Sequence, residues 1–505
     1  MATQCSHAII ELMPCLAPTP RALARALAGA AALGLALAIS PSVPAAHAAS
    51  ALPPEALAAL QRARVPADAL SVLVQEAGGP RTVLAHEHRQ LRNPASVIKL
   101  LTTYAALDQL GPAWTWSTPV LLHGTLADGV LEGNVHLRGS GDPKLVIEQV
   151  WLLLRRLQAA GVREVRGDFV LDRSAFAAAE GSAADFDGDA TRPYNVRADA
   201  LMVNFKSVVY TFVPDPARAV ARVLAEPDLG PAATPPAAPV TVPLAPGPCE
   251  DWRSALKAVP AESGYRFTGR YPAACGELVW ALADPDPARY AARLIETIWR
   301  EMGGRLAGTV REGAVPEGAR LLFEHRSEPL AQVVRDINKH SSNVMSQQLF
   351  LTLALLRDPK TPATTEGGRE ALRRWAAERL GELPEGFVID NGSGLSRTTR
   401  VSAQWLARLL QHAWASPVMP ELMGSLPVSG TDGTLRRSRA SPGRAHLKTG
   451  TLRDTAGVAG YVLSDSGRRY VVVALVNHAQ AQAARPALEA IVQWAIRDGT
   501  PATAR

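Results

Sequence analysis

Apolar positions along this chain switch between a period near 3.6 and a period near 2, with Gly and Pro marking the changes. Residues 51–63 carry helical periodicity. Ala69-Leu70-Ser71-Val72-Leu73-Val74-Gln75-Glu76 and Arg81-Thr82-Val83-Leu84-Ala85-His86 read as two strands joined across Ala77-Gly78-Gly79-Pro80, a hairpin connection. The run Asn93-Pro94-Ala95-Ser96-Val97-Ile98-Lys99-Leu100-Leu101 then opens a helix predicted to reach about Leu110, where Gly111-Pro112 stops it. Val97, Leu100, Leu101, Tyr104 and Leu107 form its apolar stripe, so this helix is expected to be buried.

From about Trp114 the pattern turns strand-like, through Val120-Leu121-Leu122, Val130-Leu131 and Asn134-Val135-His136-Leu137. Gly139-Ser140-Gly141-Asp142-Pro143 follows as a turn; no Lys-Ser/Thr or third helix-opening glycine makes it a phosphate cradle. A helix over Val150–Ala160 leads through Gly161 to the strand Val162–Val170, and the same sequence of features recurs from Tyr290 to Val310. Two helix–Gly–strand units of like spacing imply two halves of one domain, interrupted by what lies between. The interruption, roughly 199–277, contains the strands Val208–Val213 and Tyr265–Thr268 and a Pro/Ala-rich stretch, Gly230–Pro248, expected to be an irregular surface loop. Asp185, Asp187 and Asp189 resemble the start of a calcium loop, but Ala190 stands where the sharp-turn glycine belongs and Val196 where the bidentate Glu belongs.

The C-terminal half returns to helices at Leu330–Asn338 and Val344–Leu356, with Lys339-His340-Ser341-Ser342-Asn343 as a tight turn that can aim Ser341 and Asn343 the same way. Gly/Ser/Asp-rich loops at Asp390–Arg397 and Pro427–Thr434 precede strands opening at Leu447-Lys448-Thr449-Gly450-Thr451-Leu452 and continuing through Val458–Leu463 and Tyr470–Val476. An amphipathic helix, Ala483–Asp498, closes the chain. Antiparallel strands followed by a helix indicate an α+β fold, a sheet with helices packed on it.

At 505 residues the chain is too long for one core, and its composition, 47% hydrophobic and 20% charged, is globular. The net charge of +6 is spread out, which excludes a nucleic-acid stripe and is compatible with an anionic polymer or membrane surface. Arg21 and Arg25, the apolar run Ala26–Ile39 and the small-x-small pattern Ala46-His47-Ala48 read as a cleaved secretory signal over residues 1–48, with Met13 an alternative start. Export implies an oxidising compartment, and removal of the signal leaves Cys249 and Cys275 as one expected disulfide. The eleven histidines are dispersed and no CxxC occurs, so neither a metal nor a cofactor is expected.

The candidate chemistry begins with Ser96 and Lys99. Three residues apart on one helical face, a hydroxyl and an amine can come within hydrogen-bonding reach. The lysine can act as the serine's base only if burial or a neighbouring cation lowers its pKa. Ser96-Val97-Ile98-Lys99, Ser341-Ser342-Asn343 and Lys448-Thr449-Gly450 occur in that order and match the Ser-x-x-Lys, Ser-x-Asn and Lys-Thr-Gly signature of penicillin-recognising serine enzymes. His340 beside this set invites a Ser–His pairing, but no Asp at triad-like spacing supports it. With the long gap between Lys99 and Ser341, Gly141-Asp142-Pro143, Asp172–Phe176, Asp390–Arg397 and Ser425–Leu435, the chain resembles the class C low-molecular-mass penicillin-binding proteins. These are the penicillin-binding protein 4-like D-alanyl-D-alanine carboxypeptidase/endopeptidases.

The resemblance implies a transpeptidase/β-lactamase-like catalytic domain over 49–115 and 327–505, an inserted domain over 116–198 and 278–326, and a nested module over 199–277. It implies Ser96 as nucleophile, Lys99 as base kept neutral by Lys448, Ser341 as proton relay, and Asn343 as holder of Lys99 and the substrate amide. Backbone N–H groups of Ser96 and Thr451 would form an oxyanion hole, Lys448 and Thr449 would hold the substrate carboxylate with Gly450 also at the substrate, and Asp172, Phe176 and Arg397 would line the donor side-chain pocket. The family commonly has Gln where this chain has Arg453. Expected partners are peptidoglycan peptides and β-lactams in the periplasm, and no nucleic acid; a weak membrane-surface contact and a homodimer stay open. Two other readings are a serine β-lactamase or esterase on the same core, against which the inserted domains argue, and a non-catalytic peptidoglycan-binding protein, against which intact Ser96, Lys99 and Lys448 argue.

Overall fold

The computed structural model describes residues 51–230 and 240–499; the expected signal segment and part of the Pro/Ala-rich stretch lie outside the described residues. Strands β1 (Leu70–Glu76), β2 (Thr82–His86), β3 (Ala445–Leu452), β4 (Thr455–Leu463) and β5 (Arg469–Asn477) form an antiparallel sheet in the order β3-β4-β5-β1-β2. Leu70 pairs with Val476 and Glu76 with Tyr470, so the two ends of the described chain close one sheet. β4 and β5 are almost continuously buried because helices cover both faces. On one face lie α1 (Pro54–Ala63) and the C-terminal helix α5 (Arg485–Ile496); on the other lie α2 (Lys99–Leu110) and the helix Ala403–Trp414.

Helix α2 is buried at every position from Lys99 to Leu107, as a helix without a polar face must be. Its beginning differs from the sequence expectation. Ala95–Ile98 is a 3-10 turn, and the α-helix starts only at Lys99. Side chains at i and i+3 eclipse in a 3-10 turn, so the tighter winding brings Ser96 and Lys99 closer than an α-helix would. Two more helices, α3 (Leu330–His340) and α4 (Asn343–Arg357), meet at Ser341, whose backbone is left-handed at φ 58°, and Ser342 caps α4 by accepting from Met345 N–H.

Between α2 and α3 the chain makes a long excursion that leaves and returns through adjacent strands. Ser117–Ala127 pairs antiparallel with Arg320–Arg326; Trp116 N–H donates to Ser327 Oγ (2.9 Å) and Leu330 N–H to Trp114 O (2.7 Å). The two helix–Gly–strand units lie side by side in one seven-stranded sheet, with Arg305 paired in parallel to Glu164 and Val310 to Phe169.

Within the excursion a separate five-stranded sheet contains Ser207–Asp215, Val220–Glu226, Thr241–Ala245, Tyr271–Pro272 and Leu278–Ala283. Two expectations need correction there. Thr241–Ala245, read as loop from its proline content, is a strand next to the sheet edge, where Pro243 is tolerated. Leu278–Ala283, placed outside the nested module, pairs with Ser207–Asp215, so we propose that the module extends to Ala283. Cys249 and Cys275 are joined in a disulfide, in the least regular part of this small module. Replacing both by Ser should lower stability by about 3 kcal/mol from loop-closure entropy. Denaturant unfolding under oxidising conditions checks this; an unchanged midpoint contradicts it.

Candidate active site

Asn93 fixes the turn that presents Ser96. Its side-chain oxygen accepts from Ala95 N–H (2.9 Å), its Nδ2 donates to Ser396 O (2.8 Å), and its backbone exchanges hydrogen bonds with the Asn477 side chain on β5 (2.7 and 2.9 Å). Ala95 is held at φ 47°, a left-handed conformation that costs a residue with a Cβ and persists only where its surroundings impose it. Two glycines allow the close approach. A Cβ on Gly394 would overlap Ala95 O, and one on Gly450 would overlap Pro94 O. Strand β3 and the 390–397 loop therefore press against the Ser96 turn from two sides.

Lys99 is fully buried. Its Nζ lies 3.0 Å from Ser96 Oγ and 2.7 Å from Asn343 Oδ1, and also donates to Ser393 O. Burial lowers its pKa well below that of an ordinary lysine, and the neighbouring Lys448 lowers it further. Lys448, equally buried, is pushed down to about 7 by burial; its Nζ donates to Ser341 Oγ (2.9 Å) and Thr449 O (2.8 Å). Asn343 Nδ2 reaches Tyr194 O (3.3 Å) in the inserted segment. These side chains thus form two adjacent hydrogen-bonded groups, Ser96–Lys99–Asn343 and Ser341–Lys448.

The 425–435 loop forms one wall of the cleft. Lys339 holds it, donating to both oxygens of Asp432 (2.9 and 2.6 Å) and to Leu426 O (2.6 Å), while Asn338 donates to Ser425 Oγ (2.8 Å). Thr434 meets Thr449 at 2.7 Å between hydroxyl oxygens, and Arg485 donates to Thr451 Oγ1 at 2.8 Å. The cavity is about 1200 Å³ and runs along β3, the edge strand of its sheet, past Ser96, Ser341, Asn343, Thr449, Gly450 and Thr451.

Arg397 lines this cavity, stacked 4.5 Å over the Phe186 ring and 3.5 Å from Asp454. Asp172 and Phe176 do not. Asp172 is consumed at its strand end, accepting from Ser174 N–H (2.9 Å) and Val315 N–H (3.0 Å) beside Arg138; Phe176 packs against Ala200, Ala354 and Ala363. Phe186, Asp187 and Tyr194 line the cavity beside Arg397. Tyr194 OH donates to Asp187 Oδ2 (2.7 Å) and Asn195 to Asp187 Oδ1 (2.7 Å), while Asp189 accepts from Thr191 and Arg192, and Asp185 faces Arg197. The acidic run shapes a loop at the cleft. Among the described residues, no group of His, Cys, Asp and Glu is arranged to hold a metal ion. Ser393 was missed because its contribution is a backbone carbonyl, which carries no residue identity; the flanking Gly392 and Gly394, both at positive φ, were the available signal. His340 lines the cavity without a side-chain hydrogen bond to Ser341 or Ser96.

The fold and site are those of a serine acyl-transfer centre with a buried lysine in place of histidine. The model of the D-Ala-D-Ala carboxypeptidase 3 (S13) family matches residues 55–498, and the chain belongs to that family. It is 26% identical over 399 residues to the D-alanyl-D-alanine carboxypeptidase DacB of Haemophilus influenzae, covering 76% of this chain and 80% of that protein. It is 28% identical over 408 residues to a D-alanyl-D-alanine carboxypeptidase of Actinomadura sp. strain R39, covering 76% and 73%. The crystal structure of penicillin binding protein 4 from Haemophilus influenzae has the same fold, with a TM-score of 0.69 at 22% identity, covering 87% of this chain and 99% of that one.

The two lysines should titrate as a coupled pair. In 13Cε-lysine NMR, Lys448 is expected to lose its proton near pH 7, and Lys99 well below the usual value of about 10.4. Lys448→Met removes a cation and should raise the Lys99 midpoint; an unmoved midpoint contradicts the coupling.

Proposed function

We propose that this serine-type D-Ala-D-Ala carboxypeptidase and endopeptidase works through an ester on Ser96, with peptidoglycan stem peptides and their cross-links as substrates. The observation that carries this reading is the 3.0 Å contact between Ser96 Oγ and the Nζ of a Lys99 with no solvent exposure. A neutral Lys99 takes the hydroxyl proton as Ser96 attacks the carbonyl of the penultimate D-Ala. The developing oxyanion is met by the backbone N–H groups of Ser96 and Thr451; one such donor is typically worth about 3 kcal/mol. Ser341, beside Lys448, passes a proton to the departing amine, and water then hydrolyses the ester by the reverse sequence of proton transfers.

Lys448 and Thr449 meet the carboxylate next to the departing amine, and Gly450 lets the strand that carries them sit against Ser96. Asn343 orients Lys99 and the substrate amide. A bound carboxylate would favour the charged form of Lys448, so Lys448 becomes the cation while Lys99 remains the base. Phe186, Tyr194, Arg397 and Arg453 flank the donor end of the cleft; Arg453 in place of glutamine adds a cation there. The same carboxylate recognition suits penicillins, whose acyl group would remain on Ser96.

The substrates place the enzyme in the periplasm, reached by the secretory signal expected at 1–48. Among the described residues, no helix is long and apolar enough to cross a membrane. We further propose the division into a catalytic domain of 49–115 and 327–505 and an inserted domain that carries the nested module.

Incubation with a fluorescent penicillin should leave one covalent label, lost in Ser96→Ala and slowed by about 10²–10⁴-fold in Lys99→Met. A wild type that takes no label, or a Ser96→Ala variant that still releases D-Ala from a peptide ending in D-Ala-D-Ala, sinks the mechanism.

A further inference from the structure

The cleft does not stop at its edge strand. Side chains alternate along β3, so Lys448 and Gly450 face the Ser96 turn while Leu447, Thr449 and Thr451 face the α5 side. On that side Leu435, Leu447, Val458, Leu488 and Val492 form an apolar floor continuous with the catalytic cavity. Two exposed arginines stand at its mouth, Arg437 and Arg485. Arg485 donates to Thr451 Oγ1, and among the described residues neither guanidinium has a carboxylate partner. The acid of the lobe, Glu489, accepts from the backbone N–H of Arg439 at 3.2 Å. The lobe is therefore apolar at its floor and cationic at its rim, and it begins where Thr434 and Thr449 touch.

Its position decides what could use it. On the reading above, Thr449 sits beside the carboxylate of the leaving residue, so the lobe lies where that residue's side chain must go. The methyl group of D-Ala would leave it unfilled. A chain of several methylenes would cover the leucine and valine floor, each methylene worth about a fourfold gain when fully buried. A carboxylate at its far end would reach the arginines.

We propose that this lobe binds the side chain of the leaving residue and makes the enzyme prefer leaving residues with an alkyl chain and a distal carboxyl group over D-Ala. The inference rests on acylation of Ser96. The step is balanced without a co-reactant other than water. The Ser96 Oγ–C bond forms as the amide C–N bond breaks, and the amine leaves with one proton. Water then cleaves the ester, so each cycle yields one carboxylate and one amine.

The full mature chain can be tested on three substrates with one donor peptide and different leaving residues: D-Ala, D-norleucine and D-2-aminopimelate. Expected kcat/KM rises from D-Ala to D-norleucine, and again by about twofold to fivefold for D-2-aminopimelate, as suits a partly exposed ion pair. In Arg437→Glu the ratio of D-2-aminopimelate to D-norleucine should fall to about one or below, with penicillin labelling confirming that the variant is folded. If wild type releases all three at equal kcat/KM, or the ratio survives Arg437→Glu, the lobe plays no such part while the Ser96 mechanism stands. If no substrate is cleaved and no penicillin label forms, the Ser96 mechanism falls and this proposal falls with it.

Discussion

Two lysine ammonium groups cannot both stay charged in a dry site, and the architecture around Ser96 is arranged about that constraint. Lys99 and Lys448 are each fully buried, and among the described residues no carboxylate is bonded to either Nζ. Burial alone disfavours each charge, and mutual repulsion disfavours the second. The hydrogen bonds divide the labour. Lys99 is surrounded by Ser96, Asn343 and a backbone carbonyl, whereas Lys448 reaches Ser341 and its own strand's Thr449 carbonyl. On the mechanism proposed above, this gives a base near neutral pH without a histidine, and a cation that a substrate carboxylate can stabilise.

Holding that pair requires elements from distant parts of the sequence. β3 brings Lys448 in beside the Ser96 turn only because Gly450 has no side chain, and the 390–397 loop closes over Ala95 only because Gly394 has none. The α3–α4 junction supplies Ser341, itself left-handed, and Asn343, the first residue of α4. Lys339, two residues before Ser341, anchors Asp432 and the wall that carries Thr434. Strain at Ala95 and Ser341 is concentrated where reactive side chains must be aimed.

Features carried by residue identity and short spacing were legible in the sequence. The Ser-x-x-Lys, Ser-x-Asn and Lys-Thr-Gly groups, the buried helix behind Ser96 and the core strands could all be read from local pattern. The lining of the cavity beyond these groups could not. Asp172 and Phe176 point elsewhere, to a strand end and an alanine-lined packing site. Phe186, Asp187 and Tyr194 line the cavity instead, in a run that resembles a failed metal loop because its acids bond to neighbours in the same loop. Ser393 was invisible for a different reason, since a carbonyl donated to Lys99 leaves no mark on the residue type.

The excursion between α2 and α3 departs and returns on neighbouring strands, Ser117–Ala127 and Arg320–Arg326, pinned at their base by Trp114, Trp116 and Ser327. Mechanically this is a stem. Because the ends of the excursion are adjacent, the connections to the catalytic body keep the same length whatever the number of residues between them. The lower edge of the excursion rests on the body at several points: Asp199 is bonded to Gln348, Lys144 pairs with Asp336, Phe176 packs on Ala354, and the 185–194 segment touches Arg397 and Asn343. A change in the upper part of the excursion leaves these contacts alone, whereas a change along its lower edge is felt at the cleft.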